Sequence, residues 1–235
     1  MSPSSGEIRQ IGVLGAGQMG CGIAQAAAQS GFEVLFADQT LETAEKGKNK
    51  IVSQLKKLVE KGKMTAPEVE KLTALIHPVK GLRELGVAPL VVEAVTERPE
   101  LKFQIFRDLD EACSPSTILA SNTSSISITL IAAQTRRPEK VAGMHFMNPV
   151  PIMKLVEGIR GLQTSDETFA AVRSVSERMG KTFVAVKDIP GFAVNRILMP
   201  MINEAIQVLY EGIASVEDID TAMKLGTNQP MGPLT

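Results

Sequence analysis

Short apolar runs separated by stretches of helical periodicity occupy the chain from residue 11 to residue 186. Apolar runs without polar alternation are typical of strands that are buried on both faces of a parallel sheet. Runs of strand length occur at residues 11–14, 33–37, 90–95, 117–121, 140–146, 153–158 and 182–186. The pattern therefore predicts an α/β protein with a mostly parallel sheet.

The intervening stretches predict helices at 21–28, 41–63, 101–111 and 168–180. In the stretch 41–63, the apolar side chains fall on one side of the helix and a row of lysines falls on the other. Another helix is expected to open at Pro67, because proline suits the first helical turn and Thr65 can cap the helix. The two consecutive helices predict a helical hairpin inserted between strands.

Beyond residue 188 the chain contains only helical patterns. Asp188-Ile189-Pro190-Gly191 has the composition of a linker. Apolar residues from Ile197 to Leu209 recur at helical spacing, which predicts a largely buried helix, and Ser215 suits the cap of a further helix. We therefore place a domain boundary near Asp188, with a first domain at 1–188 and the start of an all-helical second domain at 189–235.

The segment from Gln10 to Asp38 contains the parts of a dinucleotide-binding βαβ unit in the required order. Strand 11–14 leads into a G-x-G-x-x-G turn, formed by Gly15-Ala16-Gly17-Gln18-Met19-Gly20. Asp38 ends the second strand, where a carboxylate can accept both hydrogen bonds of an adenosine ribose and repel a 2′-phosphate. NAD is therefore favoured over NADP. A glycine-rich turn that binds nothing is the alternative, but it leaves the acid unexplained.

The composition excludes several classes of protein but does not indicate a function. The 235 residues carry a formal net charge of −1, which provides no general attraction to nucleic acid or to an anionic membrane. The two cysteines, Cys21 and Cys113, predict neither a disulfide framework nor a zinc site. No apolar run could cross a bilayer, and residues 1–7 lack the features of a signal peptide. We therefore expect a cytoplasmic protein in a reducing compartment.

The chain contains two histidines, and one of them lies where ligands collect in parallel sheets. His145 ends a predicted strand at the carboxyl edge of the sheet, and Glu157 follows on the next strand-like run. A carboxylate beside an imidazole holds it in one tautomer and favours general-base chemistry. The alternative is an edge histidine with an unrelated surface glutamate. His77, which precedes Pro78, is interpreted as a structural or surface residue.

Small polar side chains offer further candidates with two interpretations each. Ser121-Asn122-Thr123-Ser124-Ser125 directly follows a predicted strand. Such a cluster can cap the next helix, or one hydroxyl can stabilise negative charge that develops on a substrate oxygen. Asn195 in the helical region could bond across a domain interface or polarise the same oxygen. Spacing alone does not decide between these possibilities.

Taken together, the motifs resemble the L-3-hydroxyacyl-CoA dehydrogenase family, including its bacterial 3-hydroxybutyryl-CoA dehydrogenase branch. The resemblance runs from Ile8 to the last residue. It rests on the segments Gly15–Gly20, Asp38–Thr40, Val92–Glu97, Ala120–Ser125, His145–Glu157, Pro190–Arg196 and Asp218–Gly226. It implies a Rossmann-type sheet with a helical-hairpin insertion, followed by an all-helical second domain.

The resemblance also implies the reaction and its residues. The family interconverts (S)-3-hydroxyacyl-CoA and 3-oxoacyl-CoA with NAD, in fatty-acid or butanoate metabolism. By resemblance, His145 is the general base or acid at the hydroxyl carbon and Glu157 orients it. Ser124 and Asn195 contact the oxygen that becomes the ketone.

Binding residues follow from the same resemblance. Glu97, Lys102 and Asn148 match family positions that contact the nicotinamide half of NAD, and Ser124 touches both ligands. Lys61 matches a position that reaches the phosphates of coenzyme A, and Gln54 lies near a second contact. The other lysines of that helix are expected to form a solvated face.

Relatives of this family continue beyond Pro230-Met231-Gly232-Pro233 with further helices, whereas this sequence ends at Thr235. We therefore expect a fragment or a shortened form, and a homodimer if those helices are present. Two other functions remain open at this stage. One is a dehydrogenase of a free hydroxy acid, and the other is a non-catalytic NAD-binding or structural homologue.

Overall fold

The computed structural model describes residues 8–235, so the residues 1–7 considered above for a signal peptide lie outside the described part. The described residues form two compact units, one ending at Ile189 and the other beginning at Pro190. Within the described range, no helix combines the length and the apolar character that a bilayer crossing requires.

The first unit is built on a single mixed sheet of eight strands in the order β3-β2-β1-β4-β5-β6-β7-β8. Their bounds are β1 Gln10–Leu14, β2 Glu33–Ala37, β3 Ile76–Pro78, β4 Leu90–Glu93, β5 Ile118–Ser121, β6 Val141–Phe146, β7 Leu155–Arg160 and β8 Thr182–Lys187. The neighbours are parallel except for β6 and β7, which run antiparallel. The prediction of a mostly parallel α/β sheet is thus confirmed.

Helices cover this sheet and form the second unit. Their bounds are α1 Gln18–Gln29, α2 Leu41–Glu60, α3 Ala66–Ala74, α4 Leu82–Leu85, α5 Pro99–Ala112, α6 Ile128–Ala132, α7 Asp166–Arg178, α8 Val194–Tyr210 and α9 Val216–Thr227. The short elements β3, α4 and α6 were not predicted. β3 contains no apolar run, and the four and five residues of α4 and α6 are too few to establish a helical period.

The helical hairpin predicted between strands is formed by α2 and α3. Ala44, Ile51 and Leu55 are buried, as their common side of the helix requires. α2 ends before residue 63 because Gly62 adopts a φ of +66°, which terminates the helix as a left-handed C-terminal glycine. Thr65 caps α3 as predicted: its hydroxyl accepts from the Glu68 N–H, and the Glu68 carboxylate accepts from the Thr65 N–H.

The second unit consists of α8, α9 and the residues that follow them. Ser215 caps α9, as predicted, by accepting from the Asp218 N–H at 3.1 Å. The prediction that the helix around 197–209 is largely buried is wrong, since Ala205 is the buried residue of α8 whereas Ile197 is 70% and Ile206 51% exposed. Helical spacing identifies an apolar face, but it does not identify what covers that face.

Candidate active site

The glycine-rich turn between β1 and α1 has a geometry that only glycines permit. Gly15 has a φ of +109°, and a Cβ there would lie 2.6 Å from the Ala94 carbonyl oxygen. A Cβ on Gly20 would lie 1.7 Å from the Gly15 carbonyl oxygen, so this glycine lets α1 approach β1. A Cβ on Gly17 would meet no described atom within 4 Å, which leaves room for a phosphate to approach the backbone.

The N-terminus of α1 lies at this turn, with Gly17 as its N-cap and Gln18 and Met19 in its first turn. In the described part of the chain, no side chain caps the helix at Gly17. The first N–H groups of a helix lack intrahelical acceptors, and the helix dipole favours negative charge there. The turn can therefore bind a pyrophosphate through backbone N–H groups.

Asp38 directly follows β2 and is fixed against the glycine-rich turn. Its carboxylate accepts hydrogen bonds from the Ala16 N–H and, at 2.7 Å, from the Gln39 N–H. Asp38 also lines a cavity of about 490 Å³ that includes Gly15, Gly17 and Thr96. The structure thus brings the predicted ribose acceptor and the predicted phosphate turn into one pocket, which suits a dinucleotide.

His145 and Glu157 form a buried pair at the carboxyl end of β6. The antiparallel register of β6 and β7 places the two residues directly opposite each other. The Nδ1 atom of His145 lies 2.8 Å from the Glu157 Oε2 atom, and the two residues are 5% and 0% exposed. A carboxylate at Nδ1 fixes the imidazole tautomer and stabilises the imidazolium form, which suits general acid–base chemistry at Nε2.

Ser124 lies in the segment that follows β5, beside the end of β4. Its N–H donates to the Glu97 Oε1 atom at 2.8 Å, and the Thr123 hydroxyl donates to the same oxygen at 2.5 Å. The N-cap of the next helix, α6, is Ser127. The Ser121–Ser125 cluster is therefore not the cap of α6, and Ser124 itself is half-buried at the sheet edge.

The pKa of Glu97 reflects two opposing influences. Burial raises the pKa, but the Thr123 hydroxyl, the Lys102 charge and the Ser124 N–H together hold it below its usual value. The Glu97 carboxylate is therefore anionic at neutral pH and is fixed in place by its donors.

Lys102 belongs to a buried network that includes Glu93, a residue to which the sequence analysis gave no role. The Lys102 ammonium lies 2.6 Å from the Glu93 carboxylate and 3.4 Å from that of Glu97. Lys102 is only 1% exposed and contacts these carboxylates and the Val95 carbonyl oxygen, and a contact with the cofactor stays a prediction. Glu93 could have been suspected from sequence, because a glutamate that ends an apolar strand needs a partner when buried.

The connection between β6 and β7 approaches the glycine-rich turn. The side-chain amide of Gln18 donates to the Asn148 Oδ1 atom at 3.1 Å, so two predicted cofactor residues meet. The buried Lys181 ammonium, which the sequence analysis also missed, donates to the carbonyl oxygens of Val150 at 2.5 Å and Met153 at 2.8 Å. Lys181 therefore fixes the connection that follows His145.

The other predicted site residues belong to other elements. Gln54 lies on α2 and Lys61 is its C-cap residue, and both are exposed. Asn195 lies in the first turn of α8, in the second unit. His77 pairs with Glu33 at the β2–β3 end of the sheet, where both side chains are nearly half exposed.

Comparisons with known proteins give one consistent family. The family model described as the NAD binding domain of 3-hydroxyacyl-CoA dehydrogenase matches residues 10–189, and the model of its C-terminal domain matches residues 191–235.

Named relatives and a solved structure agree with these matches. A probable 3-hydroxybutyryl-CoA dehydrogenase of Bacillus subtilis is 56% identical over 97% of this chain and 79% of its own length. The human mitochondrial hydroxyacyl-coenzyme A dehydrogenase is 44% identical over 96% of this chain and 74% of its own length. The crystal structure of (S)-3-hydroxybutyryl-CoA dehydrogenase from Ralstonia eutropha is 49% identical, with a TM-score of 0.93 over 97% of this chain and 80% of that one.

Proposed function

Because the chain belongs to the 3-hydroxyacyl-CoA dehydrogenase family, we propose that it interconverts (S)-3-hydroxybutyryl-CoA and acetoacetyl-CoA with NAD. The observation that carries this proposal is the buried His145–Glu157 pair at the carboxyl end of β6. It lies at the same edge of the sheet as the dinucleotide pocket. Oxidation of a hydroxyl group needs a base for the hydroxyl proton beside the acceptor of the hydride that leaves the carbon.

The fold suggests how the cofactor lies across this edge. Asp38 after β2 would hold the adenosine ribose and the α1 N-terminus would hold the pyrophosphate, while residues at the ends of β4 to β6 would hold the other nucleoside. Bound NAD supplies the hydride acceptor. Glu97, Lys102 and Asn148 are the residues assigned to its nicotinamide half.

The protein's own contribution to the chemistry is the movement of one proton. With Nδ1 oriented by Glu157, the Nε2 atom of His145 takes the proton of the 3-hydroxyl group during oxidation and returns it during reduction. Ser124 and Asn195 donate hydrogen bonds to the oxygen as its charge changes. Gln54 and Lys61 contact coenzyme A, because an exposed lysine suits its phosphates.

Domain roles, assembly and location complete the proposal. Residues 1–188 bind NAD, and residues 189–235 belong to a helical domain for substrate binding and dimerisation. The exposed apolar side chains of α8 support a homodimer. A cytoplasmic location is supported by two free, buried cysteines.

The decisive assay follows the loss of NADH absorbance on addition of acetoacetyl-CoA. We expect turnover that depends on this substrate and that free coenzyme A inhibits competitively. A dehydrogenase of a free hydroxy acid would show no such inhibition. A non-catalytic homologue would bind NADH without consuming it.

A further inference from the structure

Three charged side chains meet at the carboxyl end of β4. Glu93 and Lys102 form a buried ion pair at 2.6 Å, with side chains that are 0% and 1% exposed. The Glu97 carboxylate lies 3.4 Å from the same ammonium, and its side chain is 39% exposed. The cluster contains two carboxylates and one ammonium, so its net charge is −1.

The buried pair is complete without Glu97. Glu93 also accepts hydrogen bonds from the Ser121 hydroxyl at 2.6 Å and from the Val95 N–H at 2.7 Å. Lys102 also donates to the Val95 carbonyl oxygen at 3.3 Å. Each buried charge therefore has its partner, as the desolvation cost of burial demands. At a distance the two charges cancel, and the negative charge of the cluster lies on Glu97.

Glu97 is held rigidly at the edge of the sheet. Its Oε1 atom accepts from the Thr123 hydroxyl and from the N–H groups of Ser124 and Ser125, at 2.5, 2.8 and 3.2 Å. With the Ser125 hydroxyl at 3.4 Å, four donors meet this oxygen, and they fix the carboxylate in position and favour its anionic form. The charge is therefore preorganised and does not depend on a mobile surface side chain.

The position of Glu97 relates this charge to the cofactor. Val95 and Thr96, the residues just before it, line the cavity that also contains Gly17 and Asp38. With the adenosine end at Asp38, a dinucleotide that crosses the edge between β1 and β4 places its second nucleoside on the β4 side. The nicotinamide ring is cationic in NAD⁺ and neutral in NADH, so a fixed negative charge there interacts differently with the two forms.

We propose that Glu93, Lys102 and Glu97 form a charge-balance cluster that increases the affinity for NAD⁺ relative to NADH. Glu93 neutralises Lys102, and the charge of Glu97 therefore remains available to the cationic ring. Without Glu93, Lys102 would neutralise Glu97 instead. Glu93 and Lys102 are thus positioning residues. The inference rests on the proposed function for the location of the nicotinamide ring.

The test is the ratio of the dissociation constants for NAD⁺ and NADH, measured by calorimetry and by fluorescence titration on the full chain. For Glu97→Gln we expect this ratio to rise about tenfold, which corresponds to about 1.4 kcal/mol. Glu93→Gln should also raise this ratio, because the glutamine oxygen can still accept from Lys102 and the Val95 N–H, while the charge that neutralises the ammonium is lost. The double variant should raise it further. Glu100→Gln, which removes an exposed charge nearby, should change it less than about twofold.

Equal weakening of NAD⁺ and NADH binding by Glu97→Gln would overturn the proposal. The proposal would also be overturned if Glu100→Gln raised the ratio of dissociation constants as much as Glu97→Gln does. If Glu93→Gln fails to fold, the comparison of Glu97→Gln with Glu100→Gln decides by itself. A wild-type protein that binds both cofactors but does not reduce acetoacetyl-CoA would contradict the proposed function and leave this test intact. A wild-type protein that binds neither cofactor would overturn both.

Discussion

Among residues 8–235, two histidine–glutamate pairs have similar contacts and different surroundings. His145 and Glu157 lie 2.8 Å apart and are buried, whereas His77 and Glu33 lie 2.5 Å apart with side chains that are 47% and 46% exposed. Water competes for the exposed pair and weakens its interaction, but it is largely excluded from the buried one. Only the buried pair is therefore suited to hold a base in one tautomer, and the exposed pair provides a matched control.

The first prediction concerns His145→Gln. Turnover should fall by roughly 10²–10⁴-fold, the usual contribution of a general acid or base, while NADH binding stays nearly intact. Steady-state assays with acetoacetyl-CoA and NADH titration measure the two effects. His77→Gln should leave both unchanged. Near wild-type turnover in His145→Gln would show that another group moves the proton.

The second prediction concerns Glu157→Gln. The amide can still orient the imidazole but no longer stabilises the imidazolium that forms during proton transfer, so kcat should fall about tenfold or more with a smaller change in KM. Glu33→Gln makes the same change in the exposed pair and should leave kcat unaffected. Equal kinetic constants for wild type and Glu157→Gln would remove Glu157 from the mechanism.

Strand order indicated the His145–Glu157 pair, because both residues lie on consecutive strand-like runs, but only the observed register of β6 and β7 excludes an unrelated surface glutamate. Glu93 and Lys181 were missed for the opposite reason. The partners of Glu93 come from α5 and β5, and those of Lys181 come from the β6–β7 connection. Such contacts depend on three-dimensional packing, which spacing along one segment does not reveal.

At the scale of elements, Gly158 determines how β8 packs beside the histidine–glutamate pair. A Cβ at Gly158 would lie 1.8 Å from the Cζ atom of Phe183, whose ring also contacts Phe169 edge-on at 5.4 Å. The ring thus occupies the space that a side chain at 158 would need. The glycine beside Glu157 has a packing role in this sheet.

We expect Gly158→Ala to lower the free energy of unfolding by about 1–3 kcal/mol, as overpacking does in dense cores. Urea unfolding measures the change. Gly226→Ala in α9, where a Cβ would meet no described atom within 4 Å, should be neutral or slightly stabilising. Phe183→Leu should lower the free energy of unfolding less in the Gly158→Ala variant than in the wild type, because the smaller side chain relieves the clash. Full additivity of the two changes would contradict the assigned clash.

Asp188 ties the end of the first unit to the start of α6. Its carboxylate accepts from the Ser127 hydroxyl at 2.7 Å and from the N–H groups of Ile128 and Thr129 at 3.0 and 2.8 Å. Burial raises the pKa of Asp188, but the hydrogen bonds from Thr129, Ser127 and Ile128 outweigh it and hold the pKa below its usual value.

Because folding lowers the pKa of Asp188, the contribution of its carboxylate to the free energy of unfolding depends on pH. This contribution is fully present at a pH above the pKa of the unfolded state, near 3.8. It is lost as the pH falls through the lower pKa of the folded state. Asp188→Asn should destabilise the protein by roughly 1 kcal/mol at pH 7, because neutral hydrogen bonds replace charge-assisted ones. Urea unfolding between pH 7 and pH 3 should show this difference shrinking below about pH 4. If the wild type and Asp188→Asn differed in stability as much at pH 3 as at pH 7, the hydrogen-bonding role of Asp188 would be contradicted. The same dependence on pH in Glu45→Gln, which removes an exposed charge, would also contradict it.

Element boundaries were predictable where the sequence contains an explicit stop signal. Thr65 and Ser215 marked helix starts correctly. The end of α2 was placed too late because the apolar and lysine pattern continues past Gly62, and only the backbone conformation of this glycine breaks the helix. Periodicity thus locates long elements well and their ends less well.

For the whole molecule, composition and pattern predicted two regions of different structure, a sheet followed by helices. The sequence pattern did not predict that apolar side chains of the second region are exposed to solvent. Ile197, Ile206, Tyr210 and Leu225 in α8 and α9 are 70%, 51%, 83% and 82% exposed. A monomer seldom exposes so many large apolar side chains on one pair of helices, and such surfaces mark association sites.

The last prediction follows from this exposure. We expect the chain to associate with a second copy through α8 and α9, because burying these side chains removes apolar surface from water. Ile206→Glu would place a charge in that interface and should weaken association at least tenfold, or about 1.4 kcal/mol, in sedimentation measurements. NADH binding should persist, since the dinucleotide pocket lies in the first unit. Val87→Glu alters a side chain of the first unit that is 70% exposed, and it should leave association unchanged. A wild-type chain that stays monomeric at every concentration, or equal weakening by both variants, would exclude α8 and α9 as the interface.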